Sequence, residues 1–205
     1  MYGEKKTWNA DYCCGYAVKN NIDDITYIDT AIDLITSEIP IDKDNIFLIG
    51  FSNGGMMAYK AATLLKHKVK GVVSESSAVS GEQKLPITPF SLLMIQSKDD
   101  DVIPYDGTML FNGKMENISD FQFRPFLPFE DGVAMWKKYL GCEQLHEQKL
   151  SNSISLRVAD CADNNTMKVL LLDKGGHSWF DHDDVDGISI PKIIMRFMKE
   201  AASRQ

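Results

Sequence analysis

Isoleucines at 25, 28, 32, 35 and 39 recur at spacings of three and four, with Asp, Thr and Ser between them. This pattern predicts an amphipathic helix over residues 23–39, stopped by Pro40, with its apolar stripe laid on a sheet. Four shorter apolar runs follow: IFLIG (46–50), VKGVVSES (69–76), FSLLMIQS (90–97) and MKVLLLDK (167–174). They lack the strict alternation of half-exposed strands, and so read as parallel strands covered on both faces. Helical patterns occupy 54–66, 130–140 and 188–201. Strand and helix in alternation predict βαβ units and an α/β fold. No repeat or low-complexity linker divides the 205 residues, a length that suits a single domain over 1–205.

One long stretch, residues 104–129, fits neither pattern. It carries Phe111, Phe121, Phe123, Phe126 and Phe129 with Pro125 and Pro128, and its aromatic content predicts an ordered lid-like segment. The formal net charge of −7 argues against nucleic acid as a partner, because such proteins concentrate Lys and Arg on one face. No apolar run approaches the roughly 20 residues that cross a bilayer, so no membrane partner is expected. The opening MYGEKKTWNADYCC lacks the apolar centre of a signal peptide. Cys13, Cys14, Cys142 and Cys161 form no paired CxxC metal clips and leave room for disulfides.

Candidate chemistry begins at Gly50-Phe51-Ser52-Asn53-Gly54, a GxSxG sequence between the strand-like IFLIG and the helix-like GGMMAYKAATLL. In that setting the serine sits on a sharp strand-to-helix turn that exposes its hydroxyl. The competing reading makes Ser52 only a helix N-cap. A reactive serine needs a base to take its proton and an acid to orient that base, in chain order serine, acid, histidine. Asp99, Asp100 and Asp101 follow the third apolar run, where an α/β sheet presents groups at the carboxyl ends of its strands. Spacing does not rank the three.

His177 follows the fourth run after Gly175 and Gly176 and is the candidate base. His67 and His146 lie among Lys, Glu and Gln and read as helix-surface residues, while His182 belongs to the acidic run DHDDVD. That run reads as solvated charge, so no metal is expected, and acyl transfer by such a triad needs no cofactor.

Taken in order, WNADYCCGYA, IDDITYI, IFLIGFSNGGMMAY, KDDDVIPY, FLPFEDGVAMWKKYLGC and GGHSWF resemble the secreted polyhydroxybutyrate depolymerase and feruloyl or acetylxylan esterase family of α/β-hydrolases. The resemblance covers most of the chain apart from much of 106–126. Where the family usually has a proline after this histidine loop, the chain has Phe180. The resemblance implies a serine ester hydrolase with nucleophile Ser52, base His177 and acid Asp100, acting on a polyester or on feruloyl or acetyl esters. It also implies a Cys142–Cys161 disulfide and a secreted or periplasmic protein. Tyr105, beside the acid, and Trp179, beside the base, are candidates for substrate contact.

The resemblance also implies an oxyanion hole with two N–H donors. One would come from Asn53, and the other from a His-Gly loop that has no counterpart before Trp8. The family carries strands ahead of the WN element, so the chain is expected to lack N-terminal strands, to be open at the edge of the IFLIG strand, and to self-associate there. Two alternatives remain at this level: a catalytically impaired or non-catalytic remnant, and a peptidase or thioesterase using the same triad.

Overall fold

The computed structural model describes residues 6–82, 84–85, 88–107, 126–180 and 184–204. Six strands make its main sheet: β1 (Ile46–Phe51), β2 (Val69–Glu75), β3 (Ser91–Ser97), β4 (His146–Lys149), β5 (Ile154–Asp160) and β6 (Thr166–Leu172). Their spatial order is β1-β2-β3-β6-β5-β4. The four apolar runs are the parallel strands β1, β2, β3 and β6. Beyond them the sheet gains a pair that the sequence pattern does not mark, with β5 antiparallel to both β6 and β4. The residues of β4, HEQK, include nothing apolar and are all exposed, so no periodicity distinguishes them. His146 therefore opens a strand and does not lie on a helix surface. His67 is also off the helix, in the turn before β2, with its ring against Asp29 and Asp33.

Successive residues on the inner strands face opposite sides, and both sides are filled. Val72, Leu92, Met94 and Val169 pack beneath α3 (Asn53–Leu64) and α4 (Phe129–Tyr139), together with Tyr59, Phe90 and Trp136. Val73, Leu93, Ile95, Leu170 and Leu172 turn the other way, toward α5 (Ile190–Ser203). Ile190, Ile193, Ile194, Phe197, Met198 and Ala201 give α5 a stripe at helical spacing. Burial of Phe197 alone contributes about 2–3 kcal/mol. A two-strand hairpin, β7 (Asp184–Val185) with β8 (Ile188–Ser189), leads into that helix.

Two expectations change on the β1 side. α1 (Gly15–Lys19) leads to α2 (Asp24–Glu38), whose isoleucine stripe is only half used. Ile25, Ile28 and Ile32 are half-buried, whereas Ile35 is exposed, as is Ile39 just past the helix end. β1 pairs only with β2 among the described residues, and Ile49 is 43% exposed. A strand with one neighbour and a thinly covered face cannot show the full burial expected of IFLIG.

The register brings the carboxyl ends of the parallel strands to one rim, with Phe51 opposite Glu75, Glu75 opposite Ile95, and Ser97 opposite Leu172. Away from this rim, a disulfide joins Cys142, after α4, to Cys161, after β5. No described helix is long and apolar enough to cross a membrane. Among the described residues no cluster of His, Cys, Asp or Glu is arranged to hold a metal ion. The acidic run around His182 and the aromatic stretch 108–125 fall outside or largely outside the described residues.

Candidate active site

At the end of β1 the chain turns into α3 through Ser52, whose backbone has φ 52° and ψ −123°. Such a turn requires small neighbours. A Cβ on Gly50 would run into the carbonyl group of Gly54, and one on Gly55 would lie 2.7 Å from Ser74 Oγ and 2.8 Å from Ser77 Cβ. The Ser52 N–H donates to the Glu75 carbonyl at 2.9 Å, and its own carbonyl accepts from Gly55 and Met56 at 3.0 and 3.1 Å. Ser52 occupies the N-cap position of α3, but its hydroxyl makes no capping bond. That hydroxyl instead lies 3.0 Å from His177 Nε2.

His177 Nδ1 lies 3.0 and 3.1 Å from the two carboxylate oxygens of Asp100. With Nδ1 protonated, the ring donates to Asp100 and accepts from Ser52, the tautomer that proton abstraction requires. Asp100 is 4% exposed and held from several sides. Val102 and Ile103 donate backbone N–H groups to Oδ1 at 2.9 and 2.8 Å, and Gln96 donates its amide to Oδ2 at 3.1 Å. Asp101 is exposed, while Asp99 faces the backbone of the histidine loop. Hydrogen bonding thus separates three aspartates that spacing leaves equivalent. Asp100 and His177 follow adjacent strands, β3 and β6, which explains how residues so distant in sequence meet.

Phe51, Glu75 and Ser76, which no sequence motif marks as functional, help to fix this geometry. Phe51 packs its ring 4.8 Å from the His177 imidazole and meets Trp179 edge-on at 5.7 Å. Ser76 donates its hydroxyl to the Ser178 carbonyl at 3.1 Å, and the buried Glu75 carboxylate accepts from Phe180 N–H at 3.4 Å. Asn53 uses its side chain to hold the entering segment, accepting from Trp8 N–H at 2.6 Å and donating to the Trp8 and Cys13 carbonyls at 3.1 and 3.2 Å. As the first residue of α3, its backbone N–H has no acceptor within the helix. Phe51 stands at a variable position of GxSxG, the resemblance points to the Asn53 backbone and not to its side chain, and no spacing singles out Glu75 or Ser76.

An open cleft of about 460 Å³ lies beside Ser52, with Trp8, Phe51, Trp179 and Lys6 among its lining residues. Trp179 is 41% exposed there. Tyr105 is not brought to this cleft. Its ring packs near Phe129 at 5.5 Å, and its hydroxyl bonds to Glu130, with burial the main influence holding the phenol above its ordinary pKa.

A serine on a strand-to-helix turn, facing a histidine and a buried aspartate across the carboxyl rim of a largely parallel sheet, defines the α/β-hydrolase class. The chain belongs to the phospholipase/carboxylesterase family of that class, whose pattern matches residues 17–125. Feruloyl esterase B of Piromyces equi is 23% identical over 178 residues, covering 84% of this chain and 31% of that protein. Probable feruloyl esterase C of Aspergillus niger is 26% identical over 132 residues, covering 63% of this chain and 48% of its own length. The chain thus spans about a third to a half of the curated relatives it matches. Among solved structures, esterase PE8 shares the fold with a TM-score of 0.52 at 15% identity, covering 85% of this chain and 60% of that one.

Proposed function

We propose that the chain hydrolyses carboxylic esters through an acyl-enzyme on Ser52. The observation that carries this reading is the Ser52 hydroxyl 3.0 Å from His177 Nε2, with no capping bond to hold it elsewhere. In the proposed cycle His177 takes the hydroxyl proton as Ser52 Oγ attacks the ester carbonyl, and Asp100 stabilises the imidazolium. The Asn53 N–H donates to the oxyanion. His177 then returns the proton to the departing alcohol, and water, activated by the same ring, releases the acid. A fluorophosphonate probe should label the wild-type protein at Ser52 and leave Ser52→Ala unlabelled, and p-nitrophenyl acetate turnover should fall by about 10⁴-fold or more in that variant. Equal labelling of both proteins would remove the assignment.

The substrate class proposed is a feruloyl or acetyl ester, or a polyester. Relatives named feruloyl esterases support it, as does the aromatic lining of the cleft by Trp8, Phe51 and Trp179. Trp179→Ala is expected to lower kcat/KM for methyl ferulate by about tenfold more than for p-nitrophenyl acetate, because ring contact is lost for one substrate only. Parallel losses on both esters would exclude a specificity role for Trp179. Secretion is part of the same proposal, and the Cys142–Cys161 disulfide suits an oxidising compartment. Recovery of the native protein with both thiols free would contradict it.

A further inference from the structure

The geometry points to Asp99 as a positioning residue, whose carboxylate ties the Gly175–Gly176 turn to the end of β3 and so sets where His177 meets Ser52. This rests on the reading of Ser52 and His177 as nucleophile and base.

Three aspartates share one turn, and each meets different surroundings. Asp101 faces solvent, and Asp100 meets the imidazole. Asp99 Oδ1 accepts from the Ser97 hydroxyl at 2.6 Å, from Gly175 N–H at 2.9 Å and from Gly176 N–H at 2.8 Å. The Ser97 hydroxyl and then the Gly176 N–H hold the carboxyl below its ordinary range, so the acceptor stays charged and its bonds charge-assisted. The turn suits this capture because Gly176 has φ +60°, which helps two successive N–H groups converge on one anion. It also has little room to shift, since a Cβ on Gly175 would lie 3.0 Å from the Phe180 ring.

Another tie on this loop is Lys98 to Asp173 at 2.7 Å, but both side chains are 45% exposed. An exposed pair of that kind contributes little rigidity. Asp99 therefore fixes the backbone just before His177, and Asp100 fixes the rotation of its ring. Without Asp99 the ring keeps its partner, and Ser178 and Phe180 keep their ties after it, but the turn just before it is released, and small misplacements at a reacting centre are costly in rate.

The test compares the wild type with Asp99→Ala, Asp99→Asn and Asp101→Ala on p-nitrophenyl acetate, with folding checked by circular dichroism and thermal unfolding. Asp99→Ala should lower kcat by about tenfold or more with KM changed by less than about twofold. The amide oxygen of Asp99→Asn can accept the same backbone bonds and should restore kcat to within about threefold of wild type. Asp101→Ala should match the wild type. In proton NMR, the low-field His177 Nδ1 proton should persist in Asp99→Asn and broaden or move upfield in Asp99→Ala. Should Asp99→Ala not fold, Asp99→Ser, too short to reach both glycine amides, replaces it with the same expectations.

Wild-type kcat and an unmoved Nδ1 proton in Asp99→Ala would overturn the proposal, as would an equal loss in Asp101→Ala. Failure of the ester-hydrolase reading looks different, because the wild type itself then neither turns over the ester nor takes the fluorophosphonate label. The NMR comparison needs no turnover and still decides the role of Asp99.

Discussion

Ser52 holds a backbone conformation that residues with a Cβ rarely adopt, with φ 52°. Strain of this kind costs about 1–3 kcal/mol and persists where the surroundings enforce it. Here the enforcement comes from the Glu75 carbonyl on one side and the first turn of α3 on the other. Glycine relieves the strain while adding disorder to the unfolded chain, so Ser52→Gly should be more stable than Ser52→Ala by about 1 kcal/mol. Urea denaturation measures the difference, and coincident midpoints would mean that the turn stores no strain. At this scale the serine and histidine are legible because glycines flank them. Asp100 is not, because Asp99, Asp100 and Asp101 leave the same strand end with similar reach, and their surroundings diverge only through the donors each one meets.

Between elements, α4 is tied to β5 by Glu130 and Arg157, whose two nitrogens each lie 2.8 Å from a carboxylate oxygen. Burial works to raise the Glu130 carboxyl, but the Arg157 fork and the Tyr105 hydroxyl overcome it and leave the group below its ordinary 4.5. A carboxyl lowered on folding stabilises the protein above its unfolded pKa, and that contribution is lost as pH falls through the folded value. Partial exposure limits it to about 1 kcal/mol. Arg157→Ala should therefore unfold at a lower temperature than the wild type at pH 7, with the gap narrowing below about pH 4. A gap constant from pH 7 to pH 3 would place the effect in packing instead. Elements were legible where apolar residues are covered on both faces, as in β2, β3 and β6. β4 escaped because an exposed edge strand needs no apolar residue, and α2 read as fully packed because periodicity reports a stripe without reporting what covers it.

For the molecule as a whole, alternation of strand and helix was sufficient to predict the class of fold. It did not predict that the chain leaves β3, builds an antiparallel pair at the far edge, and returns through β6 to lie beside β3. That return puts the Asp100 and His177 loops side by side. At the opposite edge β1 pairs on one side only among the described residues, and Ile49 is exposed, the kind of edge to which a strand of another molecule can add. We expect concentration-dependent association in sedimentation velocity, reduced by Ile49→Lys. A single monomer species at every concentration would refute this. The end of β2 bears on the site in another way. Glu75 binds the Ser52 amide through its carbonyl and the Phe180 amide through its carboxylate, while Ser76 holds Ser178. Ser52 and the His177 loop therefore ride on a common anchor, so breathing of that strand is expected to displace them in concert.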